Sequence, residues 1–375
     1  MASASAAEIQ AATQPGAPVT GRLDALTSMR WFAALGVFGV HFDAIAGSLH
    51  GMSTSVLRSS GNAVTNSAST GVSFFFVLSG FVLTWSQLNR ARPKAVGPFL
   101  RDRVARIFPN HLVTSALALA LIGSAGIAVT AVPAVFLLQA WIPRQRYFFA
   151  LNVPSWTLSC EMFFYLCFPL ALSRLRGLRA RRALLAGLVA VSFGLAFIHA
   201  ALPASTANFW VYIFPPSRLP EFLIGILLAL EIRDGSWRRV PLLPSCALVI
   251  AVVVFEEHLP VGFRFAAATL IPVMLVVLAT AGADLRGAAR VLHNRWLIRL
   301  GEWSFAFYIV HNLVVLEFAR RANPYHWPSS DAFPLVLAAA LVVVSIAAAA
   351  ALHHLVEIPA QRLLTGGKRG GRLSL

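Results

Sequence analysis

Apolar residues run along this chain in stretches of about 20, the length an α-helix needs to cross a bilayer at roughly 1.5 Å per residue. Ten such stretches are legible, at 30–48, 70–88, 111–128, 155–173, 183–200, 216–232, 240–257, 263–282, 300–319 and 332–354. An eleventh apolar run, "AVPAVFLLQAWI" at 131–142, is short and broken by proline, and reads as a half-span or interfacial helix. The pattern predicts an all-α, polytopic membrane bundle of about ten transmembrane helices. Residues 1–21 are rich in Ala, Ser, Thr, Gly and Pro, with Glu8 their only charge, and read as a disordered tail without the basic start and apolar centre of a signal peptide. Residues 366–375 read as a short basic cytoplasmic tail, which leaves 22–365 as one membrane domain.

Charge fixes the orientation of these stretches. With the N-terminus inside, 24 of the 31 Lys and Arg fall in inner segments and 7 in outer ones. Basic short loops stay in the cytoplasm, so both termini are expected there. Counting 131–142 as a full crossing would put the arginine-rich loop 174–182 outside, so the charge distribution also supports ten crossings.

Composition agrees. The chain is 58% hydrophobic and 12% charged, about half the quarter usual for a soluble domain. Its net charge of +16 is accounted for by cytoplasmic loops, and no nucleic-acid partner is expected. Cys160, Cys167 and Cys246 lie in apolar runs without metal-ligand or disulfide-framework spacing, and read as small fillers. Neither a metal nor a permanently bound cofactor is expected.

Polar residues inside the stretches change the picture from a generic bundle to a candidate site. In "RWFAALGVFGVH", Arg30 and His41 are eleven residues apart, which on a helix is three turns plus about 20°, so they share a face about 16 Å apart along the axis. Ala33, Ala34, Gly36 and Gly39 lie between them and allow close approach. Counted from the outer ends, His41, Ser79, Glu161, Glu221 and His311 all lie about 8–13 Å deep. An ionisable residue at such depth is a functional candidate that needs a partner, and the carboxylate of Glu161 suits the imidazole of His41. Arg103 and Arg106, in "RDRVARIFP", share one face of a short helix before the third span and could clamp a phosphate bidentately. The ordinary alternatives are positive-inside anchors for the arginines and hydrogen-bonded packing for the histidines and acids. The arrangement of a basic cluster below, a small-residue groove and a histidine three turns above fits coenzyme A, a phosphorylated nucleotide on a flexible arm ending in a thioester.

At this point the sequence resembles the membrane-bound acyltransferase 3 family of mostly bacterial O-acyltransferases. "RLDALTSMRWFAALGVFGVH" looks like its Arg–ten residues–His motif, "GVSFFFVLSGFVL" like its Phe-Phe-x-Leu-Ser-Gly-Phe motif with Ser79, and "RVARIFP" like its Arg-x-x-Arg motif. "SWTLSCEMFFYLCFP" is similar to its Trp…Glu…Phe-Tyr stretch, with Trp156 and Glu161, "SRLPEFLIGILLA" to its Arg…Glu-Phe…Gly segment with Glu221, and "GEWSFAFYIVHN" to its Ser…Tyr…His segment with Tyr308 and His311. Phe305 and Thr157 depart from the usual Tyr and Ser, away from the expected chemistry. The resemblance implies a bacterial plasma-membrane enzyme that moves an acyl group from acyl-CoA to a hydroxyl-bearing acceptor: a sugar, a glycan or a glycosylated natural product. The "RWFAAL" opening looks closest to actinobacterial members that acylate macrolides. His41, oriented by Glu161, is the expected base. Arg30, Arg103 and Arg106 would bind the donor's phosphates, and Ser79, Trp156, Glu221, Tyr308 and His311 would line the substrate site. Direct transfer is expected, since no serine or cysteine has a clear base beside it. The rival is a ten-span secondary transporter or flippase of a polar or anionic metabolite, which should show an internal repeat and paired broken helices.

Overall fold

A computed structural model describes residues 23–46, 49, 63–122, 128–236, 239–322, 325, 327, 330 and 332–366. The expected N-terminal tail and all but Gly366 of the C-terminal tail lie outside the described residues. Among those described, regular structure is helical throughout, without a strand. The helices are α1 (Asp24–Ala46), α2 (Ala63–Leu88), α3 (Val96–Ile122), α4 (Ala128–Val135), α5 (Gln145–Phe148), α6 (Trp156–Arg176), α7 (Arg181–Ala201), α8 (Ala204–Asn208), α9 (Pro215–Arg233), α10 (Leu242–Phe255), α11 (Val261–Arg264), α12 (Ala267–Leu285), α13 (Arg295–Ala322), α14 (Phe333–Leu352) and α15 (Ile358–Thr365).

Each of the ten predicted stretches falls on a helix, and seven helical segments among the described residues are long and apolar enough to cross a membrane. Three stretches are not among the seven, on α1, α10 and α13. Helix α10 has only 14 residues. Helices α1 and α13 have 23 and 28 residues, but they carry Asp24, Arg30, His41 and Asp43, and Glu302, His311, Asn312 and Glu317. Both carry residues of the expected site, His41 and Arg30 on α1 and His311 on α13. Helix α3 also differs from expectation: it begins at Val96 rather than near 111 and continues through Pro109, so Arg103 and Arg106 belong to the same long helix instead of a short one before it.

Helices α1, α2, α9, α12 and α13 form the centre, with α6, α7, α10 and α14 packed around them. The apolar window of α2 is 72% buried within the protein and that of α7 only 17%, so α7 is apolar on the faces it turns outward, as a lipid-facing helix must be. Two glycines set the closest central contact. A Cβ on Gly80 of α2 would lie 2.0 Å from the Phe222 carbonyl oxygen, and one on Gly225 of α9 would lie 1.9 Å from that of Val77. The backbones therefore touch where no side chain fits.

Residues 128–155, which include the expected half-span at 131–142, are α4, α5 and two turns of 3-10 helix, at 139–141 and 153–155, between α3 and α6 in the chain. Leu137 and Leu151 take left-handed φ values of 57° and 61°, which cost a non-glycine residue strain and must be held by surrounding contacts. Those contacts are polar and buried. Gln139 Nε2 donates to the Ser155 carbonyl (3.0 Å), Ser155 Oγ to the Asn152 carbonyl (2.6 Å), and Asn152 Nδ2 to the Ile309 carbonyl of α13 (2.6 Å). Irregular backbone is tolerated at such depth only when enclosed and satisfied in this way.

Candidate active site

The site starts from the crossing of α1 and α13. A Cβ on Gly301 of α13 would stand 1.9 Å from the carbonyl oxygen of Thr27 on α1, so the two helices meet backbone to backbone. The start of α1 is also clamped from a distant segment. Asp284, at the end of α12, accepts from the Ala25 N–H at 3.0 Å and the Leu26 N–H at 3.3 Å, a helix N-cap supplied from 259 residues away. Ser28 Oγ donates to the Leu292 carbonyl. Further along, Trp31 and Phe307 meet edge to face with centroids 4.9 Å apart.

Beyond this packed section the two predicted histidines come together. His41 Nδ1 lies 3.0 Å from His311 Nε2 and 3.0 Å from the Val37 carbonyl oxygen one turn earlier. His311 Nδ1 lies 3.0 Å from the Phe307 carbonyl oxygen. His311 is fully buried and stacks on Phe307, whereas His41 is half-buried. Tyr308 meets His311 ring to ring, and its hydroxyl lies 3.0 Å from Thr157 Oγ1. Thr157, expected to be remote from the chemistry, thus joins the shell around the histidines.

Arg30 shares the buried face of α1 and is 9% exposed. It lies within electrostatic reach of Arg106 on α3, Glu161 and Tyr165 on α6, and Glu357 after α14. Arg103 sits over the rings of Phe99 and Tyr165, at 5.9 and 6.0 Å. Arg30 and Arg103 both lie within electrostatic reach of Arg106, so the expected trio groups together, with Arg30 buried and the other two half-buried.

Glu161 corrects the expectation attached to it. It accepts a 2.8 Å hydrogen bond from Tyr165, one turn along α6, and lies within electrostatic reach of Arg106, Arg30 and Arg103. It belongs to the arginine cluster, while the hydrogen bonds of His41 go to Val37 and His311. Depth counting failed here because it gives distance along each helix and not which face meets which.

Glu221 is corrected too. It is 2% exposed, forms an ion pair with Arg218 at 2.9 Å, and accepts from Ser73 Oγ at 2.8 Å. Arg218, which precedes Glu221 by three residues, is 1% exposed and lies over the rings of Phe76 and Tyr212. The pair is neutralised internally between α2 and α9 and presents no free charge to a substrate. Trp156 packs on Tyr212 and Phe76 beside this pair. Ser79 is half-buried on α2, next to Gly80.

Residues that sequence reasoning passed over complete the arginine cluster. Helix α14 runs into a π-helical turn, His353–Glu357, a local widening often found at functional sites. There Glu357 accepts from Asn110 Nδ2 at 3.1 Å and Gln361 Nε2 at 3.2 Å, and lies 3.0 Å from His353 Nδ1. The signal was present: His353, Glu357 and Gln361 recur every four residues after an otherwise apolar stretch.

The arginine cluster, the histidine pair and the buried polar turns that precede α6 make up the candidate site. Residues 23–354 match the family model described as "Acyltransferase domain" (Acyl_transf_3). The chain belongs to this family. It is an acyltransferase and a multi-pass membrane protein. It is 37% identical over 380 residues to "Acyltransferase MdmB" of Streptomyces mycarofaciens, covering 92% of this chain and 94% of the relative. It is 27% identical over 330 residues to "Nodulation protein 10" of Rhizobium leguminosarum bv. viciae, covering 79% and 83%. No solved structure matches it.

Proposed function

We propose that the enzyme transfers an acyl group from acyl-CoA to a hydroxyl of a sugar, a glycan or a glycosylated natural product such as a macrolide. It does so in a bacterial plasma membrane, crossed ten times with both termini in the cytoplasm. The observation that carries this reading is the shared buried face of α1. Arg30 sits in a three-arginine cluster at one level, and His41, eleven residues on, meets a second histidine at another. The separation of about 16 Å along the helix suits a donor whose charged head and reactive end are joined by a long arm.

Arg30, Arg103 and Arg106 take the nucleotide and pantetheine phosphates through charge-assisted hydrogen bonds. Glu161 and Glu357 partly balance three guanidinium groups until the donor arrives, so the cluster keeps a positive excess for the phosphates. His41 accepts the proton of the acceptor hydroxyl as its oxygen attacks the thioester carbonyl carbon. The C–S bond breaks, the new C–O bond forms, and the thiolate leaves as the thiol with the proton His41 held. Direct transfer is favoured by Cys160, whose buried thiol is spent on the Ile213 carbonyl rather than on a histidine.

The test is thioester consumption by the purified protein with labelled acyl-CoA, together with mass spectrometry of the cell's glycans and secreted metabolites with and without the gene. Loss of one acyl mass from one class of glycosylated compound is expected. Consumption that needs no hydroxyl acceptor, or an unchanged metabolite profile, would overturn the reading.

A further inference from the structure

Three contacts around the histidine pair decide where its protons are. A carbonyl oxygen only accepts, so the nitrogen 3.0 Å from the Phe307 carbonyl, His311 Nδ1, carries a proton. In the neutral imidazole the other nitrogen, His311 Nε2, is then an acceptor. The nitrogen facing it at 3.0 Å, His41 Nδ1, must be the donor, and the Val37 carbonyl, also at 3.0 Å, makes the same demand of that atom. The opposite assignment sets a lone pair against a carbonyl oxygen at both Val37 and Phe307. One neutral arrangement satisfies all three contacts, and it leaves Nε2 of His41 as the unprotonated nitrogen of the pair.

We infer that His311 is a positioning residue for catalysis: it joins the Val37 carbonyl in holding His41 in the tautomer whose Nε2 is the base, and it supplies the second acceptor that stabilises the imidazolium formed when that base takes a proton. The inference rests on the reading of His41 as the base and deepens it. A base that becomes cationic in a buried site needs an acceptor on its far nitrogen, the role an aspartate fills in a serine-protease triad. Here the carboxylate expected for that task, Glu161, accepts from Tyr165 and lies within electrostatic reach of the arginines. The far nitrogen is served by a neutral imidazole and a backbone carbonyl. The proton path balances: it leaves the acceptor hydroxyl, rests on His41 Nε2 while Nδ1–H stays shared by Val37 and His311, and departs on the sulfur of coenzyme A. His311 gains and loses no proton. Phe307 and Phe38 pack on the ring of His311, and the N-capped, glycine-packed half of α1 and α13 fixes the register of the pair.

The experiment compares His311→Leu, His311→Gln and His41→Ala in the full-length detergent-solubilised enzyme, with kcat, the donor KM and donor binding measured for each. His311→Leu removes the acceptor while filling the space, and kcat should fall about 10–100-fold with the donor KM unchanged, because Val37 still holds the tautomer but the cation loses its second partner. His311→Gln, whose amide oxygen can accept from His41 Nδ1–H, should restore at least half of that loss on a logarithmic scale. In the His41→Ala background, His311→Leu should cost nothing further, since residues acting as a unit are not additive. A folded His311→Leu enzyme with wild-type kcat, a Gln variant no better than Leu, or full additivity with His41→Ala would overturn this inference. If His41→Ala itself turns over at the wild-type rate, it is the underlying assignment of the base that falls.

Discussion

Replacing Gly301 by alanine puts one methyl group into the crossing on which the histidine pair depends. The added carbon would stand 1.9 Å from the Thr27 carbonyl oxygen, where ordinary contact begins at 3.4 Å, so α1 and α13 must separate there by about 1.5 Å. The obstacle is backbone, and no rotamer change relieves it. His311 lies ten residues further along α13, about 15 Å. If the helices part as stiff rods, much of the displacement reaches the pair, and a 3.0 Å hydrogen bond that lengthens by about 0.6 Å has ceased to be one. Overpacking at such a contact costs about 1–3 kcal/mol of stability, and a misplacement of about 1 Å at a reacting group costs about 100-fold in rate. Acyl transfer by Gly301→Ala should thus drop about 100-fold, with a lowered thermal midpoint in detergent. Gly187→Ala is the control: nothing lies within 4 Å of its added Cβ on α7, and activity and midpoint should match the parent. A well-folded Gly301→Ala enzyme with parental kcat would refute the claim that this crossing sets the catalytic geometry.

Further outcomes follow from the same contacts. Arg106→Ala, which removes a guanidinium from the cluster with Arg30, Glu161 and Glu357, should raise the acyl-CoA KM about 10-fold or more with a smaller effect on kcat, read from initial rates; a change confined to kcat contradicts the donor assignment. Arg218→Met leaves the buried carboxylate of Glu221 without its partner and should cost about 3–5 kcal/mol in thermal unfolding, whereas the double change Arg218→Met with Glu221→Leu should recover most of it. Asp284→Ala removes the cap on α1 and should cost about 1 kcal/mol, with the donor KM rising as Arg30 loses its fixed height; an unchanged melting curve would deny the cap any weight.

Much of the fold was written in the sequence, for a reason particular to bilayers. A helix that must face hydrocarbon has to be apolar over about 20 residues, so each stretch announces itself. The two stretches that fail through polarity were also informative. Helices α1 and α13 carry the candidate site's Arg30, His41 and His311, and the three-turn alignment of Arg30 and His41 follows from helical period alone. The grouping of Arg103 and Arg106 was legible for the same reason, although their helix proved to be the long α3 rather than a separate short one.

What the sequence could not decide was which faces meet. Glu161 and His41 sit at similar depths by counting, and Glu221 as well, but depth is a single coordinate and packing needs rotation and neighbour identity besides. Close backbone approaches at Gly80, Gly225 and Gly301 set those rotations, and their partners, Phe222, Val77 and Thr27, lie from about 140 to more than 270 residues away in the chain. Only the assembled bundle turned Glu161 toward the arginines, closed Glu221 onto Arg218, and brought His311 to His41. The helical period determines what one helix presents on a face, while contacts between helices distant in sequence determine what that face confronts.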